Sequence, residues 1–272
     1  MILKDKIAVI YGAGGAVGGA VARAFATEGA NLFLTGRSLA PVEVVAKDIV
    51  STGGSAEAAE VDALDEQAVD KHLQSVIDEA DRVDISFNAV GIPSRDRGMG
   101  LYGSGILGVP LVDLDVEKFA LPIATNVTSY FLTARLAARH MIPNGSGVIM
   151  TATTLHSRTG FPTAGGYGPA QAAKEALTRE LSAELAPQGL RVVGLRPHGM
   201  PETDTLKEGF EARAKASGMT WEQFQELLAS TTHTRRLMTL EETANTAVFM
   251  ASDKASGMTG TTVNLTMGSL DD

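Results

Sequence analysis

The first residues able to do chemistry lie near the start of the chain. The run Tyr11-Gly12-Ala13-Gly14-Gly15-Ala16-Val17-Gly18 follows an apolar stretch and opens a helical pattern. Glycine lets a backbone turn tightly and approach a phosphate closely. The following helix offers unpaired N–H groups and the positive end of its dipole. A glycine run alone also suits a structural turn. Between a first strand and a first helix it predicts dinucleotide binding, through Gly12, Gly14, Gly15, Ala16, Val17 and Gly18. The end of the second strand then selects the dinucleotide. An acid there would bond the ribose 2′-hydroxyl of NAD, whereas a base accommodates the 2′-phosphate of NADP. The residues are Leu34-Thr35-Gly36-Arg37-Ser38, with no acid. Arg37 and Ser38 can hold a phosphate, so NADP(H) is expected over NAD(H).

These residues need a frame, and the hydropathy pattern supplies one. Short β-branched runs at Ile7–Tyr11, Asn31–Thr35, Ala56–Glu60, Val83–Phe87, Gly147–Thr151, Leu190–Leu195 and Thr262–Leu265 predict strands. Apolar residues at helical spacing lie between them, in Val17–Thr27, Pro41–Ser51, Glu66–Glu79, Phe119–Met141, Tyr167–Ala186 and Glu241–Ala251. Such alternation implies a parallel sheet with helices on both faces. Two segments break the rhythm. Residues 92–111 hold five glycines and the cluster Arg95-Asp96-Arg97 and are expected to be an insertion. Residues 201–234 are polar, helical in parts, carry the only Trp, and are expected to form a substrate-side helical lid.

Composition narrows the functional classes. The chain has 272 residues, 23 basic and 32 acidic, so its formal net charge is −9. That balance argues against nucleic acid or an anionic membrane as a partner. With no cysteine there is no disulfide, thiolate metal site or cysteine nucleophile. No His/Asp/Glu spacing suggests a metal. No leader-like or membrane-spanning run is seen, so a cytoplasmic location is expected.

Over essentially its whole length the chain resembles the short-chain dehydrogenase/reductase family. The family's TGxxxGxG motif corresponds to Tyr11 through Gly18, with Tyr for Thr and Ala for the middle Gly. Val61-Asp62 resembles the pair whose Asp contacts the adenine. Asn88-Ala89-Val90-Gly91 partly matches the family's NNAG, and Asn126 matches its catalytic-site Asn. Leu177–Pro187, Gly189–Val192 and Met258-Thr259-Gly260 are close to family text. Pro197-His198-Gly199 is an altered proline-glycine.

The resemblance implies a single doubly wound α/β domain of the Rossmann type over residues 1–272. Its seven-stranded, mostly parallel sheet would have the order 3-2-1-4-5-6-7. It implies hydride transfer between a nicotinamide and a small carbonyl or alcohol. In the family a Tyr is the acid or base, a Ser orients the substrate oxygen, and a Lys binds the ribose and lowers the Tyr pKa. It also implies a homodimer or homotetramer through the two long helices. Asp62, Asn88, Ala89, Val90, Pro197 and His198 are carried over as cofactor contacts.

The departures from the family are specific. Tyr167 stands in the expected place. Thr154 stands thirteen residues earlier, where the family has Ser. The family's Lys position, four residues after Tyr167, is Gln171. Gln can bond ribose hydroxyls but brings no charge, so the phenol should stay protonated at neutral pH. That favours carbonyl reduction over alcohol oxidation. Lys174 lies seven residues after Tyr167, the spacing of the family's enoyl-thioester reductases. Counting back from Arg191 places the family's Lys at 171, which disfavours that reading. A long Lys stem is expected to reach water or a subunit contact. Its other reading is partial restoration of the missing charge. His156 and His198 flank the site as possible accessories. The expected catalytic set is Asn126, Thr154, Tyr167 and Gln171, with Tyr167 and Gln171 also touching cofactor. The alternatives are an NADP-binding sensor or assembly protein without catalysis, favoured by Gln171, and the enoyl reductase.

Overall fold

The computed structural model describes residues 1–92, 105–203, 207 and 218–271. Strand β1 (Ile7–Tyr11) is buried along its whole length. Successive strand side chains point to opposite faces. Ala8 and Ile10 enter one core, with Val21, Phe25, Val45, Ile49 and Val248. Val9 and Tyr11 enter a second, with Leu73, Val76, Tyr130, Leu136 and Leu181. A strand apolar on both faces needs cover on both. On one face the cover is α1 (Ala16–Thr27), α2 (Leu39–Ser51) and the late helix Leu240–Ala251. On the other it is α3 (Glu66–Ala80), α4 (Val116–Met141) and α5 (Tyr167–Leu185).

The remaining strands are β2 (Asn31–Gly36), β3 (Ser55–Glu60), β4 (Ile85–Asn88), β5 (Gly147–Ala152), β6 (Leu190–Pro197) and β7 (Thr261–Leu265). They form one sheet in the order β3-β2-β1-β4-β5-β6-β7, and every pairing is parallel. The domain is therefore a single doubly wound α/β unit, with the expected strand order. The chain runs outward from β1 in one direction and from β4 in the other. Ligands of open parallel sheets bind beyond the carboxyl ends at such a switch point. The register aligns those ends: Tyr11 opposes Asn88, Asn88 opposes Thr151, and Ala152 opposes Leu195. The glycine turn, Ala89-Val90, Thr154 and His198 consequently emerge along one edge.

Element ends differ from the hydropathy pattern by a few residues. β6 runs on to Pro197 because Pro197 pairs with Leu265. α4 starts at Val116 and accommodates Pro122. Of the expected insertion at 92–111, residues 93–104, including Arg95, Asp96 and Arg97, lie outside the described residues. Of the expected lid at 201–234, residues 204–206 and 208–217 also lie outside them. The described part contains α6 (Trp221–Ser230), opened by a capping box of Thr220 and Gln223; the late helix Leu240–Ala251 is α7. No described helix is long and apolar enough to cross a membrane.

Candidate active site

The glycine turn is closed to side chains and open to an anion. Gly12 has φ +77°, and a β-carbon there would lie 2.8 Å from the Ala89 carbonyl oxygen. A β-carbon on Gly18 would collide with the Gly12 carbonyl oxygen, and one on Gly14 would press on Pro41 at 3.0 Å. Gly15 caps α1 without a side-chain hydrogen bond. Among the described residues no side-chain hydrogen bond caps α1, and helix geometry gives the first-turn N–H groups, Ala16 to Gly18, no intrahelical acceptor. A backbone cradle with aligned donors fits a diphosphate. Arg37 and Ser38 are exposed at the end of β2, and Ser38 opens α2 with no side-chain cap. Asp62 is exposed beyond β3 and accepts from the Leu64 N–H at 2.9 Å. Asn88 is buried; its amide donates to Thr133 at 3.1 Å and its carbonyl accepts from the Val90 N–H at 3.3 Å. That pair of bonds fixes the Ala89-Val90 backbone against the turn. Tyr11, which replaces the motif's Thr, points its hydroxyl into the core without a partner among the described residues.

The second group gathers after β5. Thr154 has extended backbone and opens a 3-10 turn, Leu155–Ser157. Its hydroxyl accepts from the His156 N–H at 3.3 Å and lies 3.4 Å from His156 Nδ1. It also acts on the Tyr167 phenol, favouring its ionised form. The His156 ring meets Tyr167 edge-on at 5.5 Å and Phe161 at 5.0 Å. Tyr167 is the first residue of α5, and Gly166 before it has no room for a β-carbon against the Phe119 backbone. The start of α4 therefore sets where α5 begins. Burial pushes the Tyr167 phenol above its ordinary pKa, and Thr154 offsets part of that rise.

Gln171 is 3% exposed and lies one helical turn beyond Tyr167 on α5. A primary amide can both donate to and accept from an incoming hydroxyl. Asn126 is 2% exposed and donates from Nδ2 to the Pro122 carbonyl at 2.9 Å. That carbonyl lies at the proline that interrupts the helical hydrogen bonding of α4. Pro197 and His198 are buried at the end of β6, and His198 Nδ1 has no partner among the described residues. Burial lowers the His198 pKa.

The structure corrects one expectation. Lys174 does not reach water: it is 1% exposed and donates to the Ala152 carbonyl at 2.7 Å. Its ammonium also lies 5.9 Å from the Tyr130 ring centroid. The stem runs inward because position 174 lies on the sheet-facing side of α5, like the buried Ala170 and Thr178. Burial lowers its pKa from 10.5 to about 7. The unfolded chain then binds more protons than the folded one between pH 7 and 10.5, so stability from this group rises with pH across that window. Lys174→Met should therefore be more stable than the parent at pH 7, by roughly 2–5 kcal/mol, with the gain shrinking towards pH 10. Denaturant titrations of both proteins at pH 7, 8.5 and 10 measure the difference; a gain independent of pH would contradict it.

Sequence reasoning missed a buried ion pair beside this group. Arg196 and Glu175 are 1% and 2% exposed and bond at 2.7 and 2.9 Å through Nε and Nη2. Glu175 also accepts from Ser157 (2.5 Å), Arg158 (3.2 Å) and Thr153 (3.2 Å). Burial pushes the Glu175 carboxyl up, but Arg196, Ser157 and Arg158 outweigh it and hold it below its ordinary value. One carboxylate thus ties α5, β6 and the Thr154–Arg158 segment together. The available signal was an Arg inside an apolar strand, because an inward Arg needs a buried acid.

Comparison with known proteins identifies the family. Residues 12–269 match the family model described as enoyl-(acyl carrier protein) reductase. The 7alpha-hydroxysteroid dehydrogenase of Escherichia coli is 30% identical, covering 98% of this chain and 94% of that protein. The 3-oxoacyl-acyl-carrier-protein reductase of Aquifex aeolicus is 26% identical, covering 98% of each. A 7α-hydroxysteroid dehydrogenase structure with NADH and 7-oxo glycochenodeoxycholic acid superposes with a TM-score of 0.84 at 28% identity, covering 99% of this chain and 96% of that one. An NAD+-bound xylitol dehydrogenase shares the fold, with a TM-score of 0.88 at 24% identity, over 98% of this chain and 100% of that one. The chain belongs to the short-chain dehydrogenase/reductase family and is an oxidoreductase of the alcohol–carbonyl class.

Proposed function

We propose that the protein reduces a small carbonyl compound with NADPH, and that Tyr167 is the proton donor. The Tyr167 and Thr154 hydroxyls, at the start of α5 and just after β5 at the crevice edge, carry this reading. The nicotinamide, when bound, supplies the hydride. Charge then builds on the substrate oxygen and needs donors at close range. Tyr167 gives its proton to that oxygen, and Thr154 donates a hydrogen bond to it. A phenol whose pKa is raised by burial stays protonated at pH 7, so it has a proton to give and is not available as a base. Gln171 would bond the nicotinamide ribose, and Asn126 would hold the water of the proton relay. Gly12, Gly14, Gly15 and the N–H groups of Ala16, Val17 and Gly18 would hold the diphosphate. Asp62, Asn88, Ala89, Val90, Pro197 and His198 would line the rest of the cofactor site.

Arg37 and Ser38 support the preference for NADPH. Replacing the charge-assisted contact with a repulsive one should reverse it. Arg37→Glu is expected to raise the Kd for NADPH about 10- to 100-fold while leaving that for NADH nearly unchanged. Fluorescence titration with both cofactors checks this; equal losses for the two would contradict it.

The enoyl-thioester reading draws on the description of the matching family model. It needs Lys174 at the ribose, whereas Lys174 bonds the Ala152 carbonyl. A panel of ketones, aldehydes and enoyl thioesters with NADPH separates the readings. Turnover of carbonyls supports the proposal. Turnover of enoyl thioesters alone overturns it, and tight NADPH binding without any turnover favours a sensor. The proposed setting is cytoplasmic, and the proposed assembly a homodimer or homotetramer through α4 and α5. The described part of 201–234 is proposed to cover the substrate.

A further inference from the structure

The Thr154 hydroxyl has one hydrogen to give and two lone pairs to fill. Which neighbour receives that hydrogen decides whether Thr154 can serve Tyr167 and the substrate. The backbone N–H of His156 fills one lone pair at 3.3 Å. Its ring Nδ1 stands at 3.4 Å from the same oxygen. The ring cannot turn away freely, since it is held edge-on between Phe161 and Tyr167, at 5.0 and 5.5 Å. The Gly168 β-position is only 3.1 Å from the His156 carbonyl oxygen, which seats this segment on the start of α5.

We propose that His156 is a positioning residue for Thr154: its N–H and its Nδ1–H occupy both lone pairs of the Thr154 hydroxyl, and the single Thr154 hydrogen is thereby directed to the Tyr167 side, where the substrate oxygen binds. Two donors on one hydroxyl also polarise it and strengthen its own donation. The bond at 3.4 Å is long, as catalytic hydrogen bonds often are before a ligand tightens them. This gives the imidazole a definite tautomer, protonated at Nδ1. It acts through Thr154 and transfers no proton itself. The inference rests on the carbonyl-reductase reading for its catalytic consequence, but not for its tautomer.

Three proteins test it: the parent, His156→Phe and His156→Asn. Phe keeps a ring between Phe161 and Tyr167 but offers no donor. Asn restores an N–H near the place of Nδ1. The 15N chemical shifts of His156, assigned by their loss in His156→Phe, should show Nδ1 protonated and Nε2 unprotonated. In carbonyl reduction His156→Phe should lower kcat about 10- to 100-fold with the NADPH Kd unchanged, and His156→Asn should recover much of it. A neutral ring protonated at Nε2 would overturn the proposal even if no substrate were known. So would a His156→Phe enzyme as fast as the parent, or an Asn variant as slow as the Phe variant. Absence of carbonyl turnover in the parent would instead count against the reductase reading and leave the 15N result to decide the role of His156.

Discussion

Tyr167→Phe should reduce carbonyl turnover by about 10²–10⁴-fold, the usual contribution of a positioned general acid. The substitution removes one oxygen and keeps the ring that packs against His156. The proposed cofactor cradle of Gly12 to Gly18 is built from backbone on another loop, so NADPH binding should be nearly unchanged. The loss should therefore appear in kcat far more than in cofactor affinity. Steady-state kinetics with an active carbonyl, beside fluorescence titration with NADPH, gives both numbers. A variant that keeps a tenth or more of parental kcat would remove Tyr167 from the chemistry.

The second large effect is on stability. Arg196→Met leaves Glu175 buried without its bidentate partner, since Arg158 makes one contact and is half exposed. Breaking one side of a buried pair typically costs about 3–5 kcal/mol, because the remaining charge is uncompensated. In a chain this long that corresponds to a fall in Tm of roughly 10 °C. Removing both charges, in Glu175→Leu with Arg196→Met, should recover most of the loss. Calorimetry of the three proteins decides; an equal loss in the single and double variants would show that shape, not charge, is at stake. Because Glu175 also holds Ser157 and Arg158, the single variant should loosen the turn that carries Thr154 and His156.

Much of the fold was legible because its signals are local. A buried two-faced strand such as Ile7–Tyr11 must be apolar throughout, and a glycine turn must follow it where a backbone approaches another at Ala89. The pairing of Thr154 with Tyr167 is what the family resemblance implies; Thr154 lies just after β5 and Tyr167 opens α5. What escaped was set by direction rather than by spacing. Lys174 was expected outside because lysines usually snorkel, yet its place on the inner face of α5 sends it to the Ala152 carbonyl. Glu175 is the next residue and pairs with Arg196, twenty-one positions away, which no local pattern records. His156 is two residues from Thr154, but only the 3-10 turn folds its ring back over that hydroxyl.

The central claim is that Tyr167, without a cation at position 171, works as a protonated donor at neutral pH. The pH dependence of the reverse reaction tests it most directly. Oxidation of the product alcohol with NADP+ needs the phenolate, whose pKa is raised by burial. Its kcat should be small at pH 7 and still be climbing at pH 10, while carbonyl reduction stays nearly level through pH 6–8. Gln171→Lys should shift the oxidation profile towards neutral pH. Full alcohol oxidation at pH 7 in the parent, with a profile already flat above it, would contradict the account.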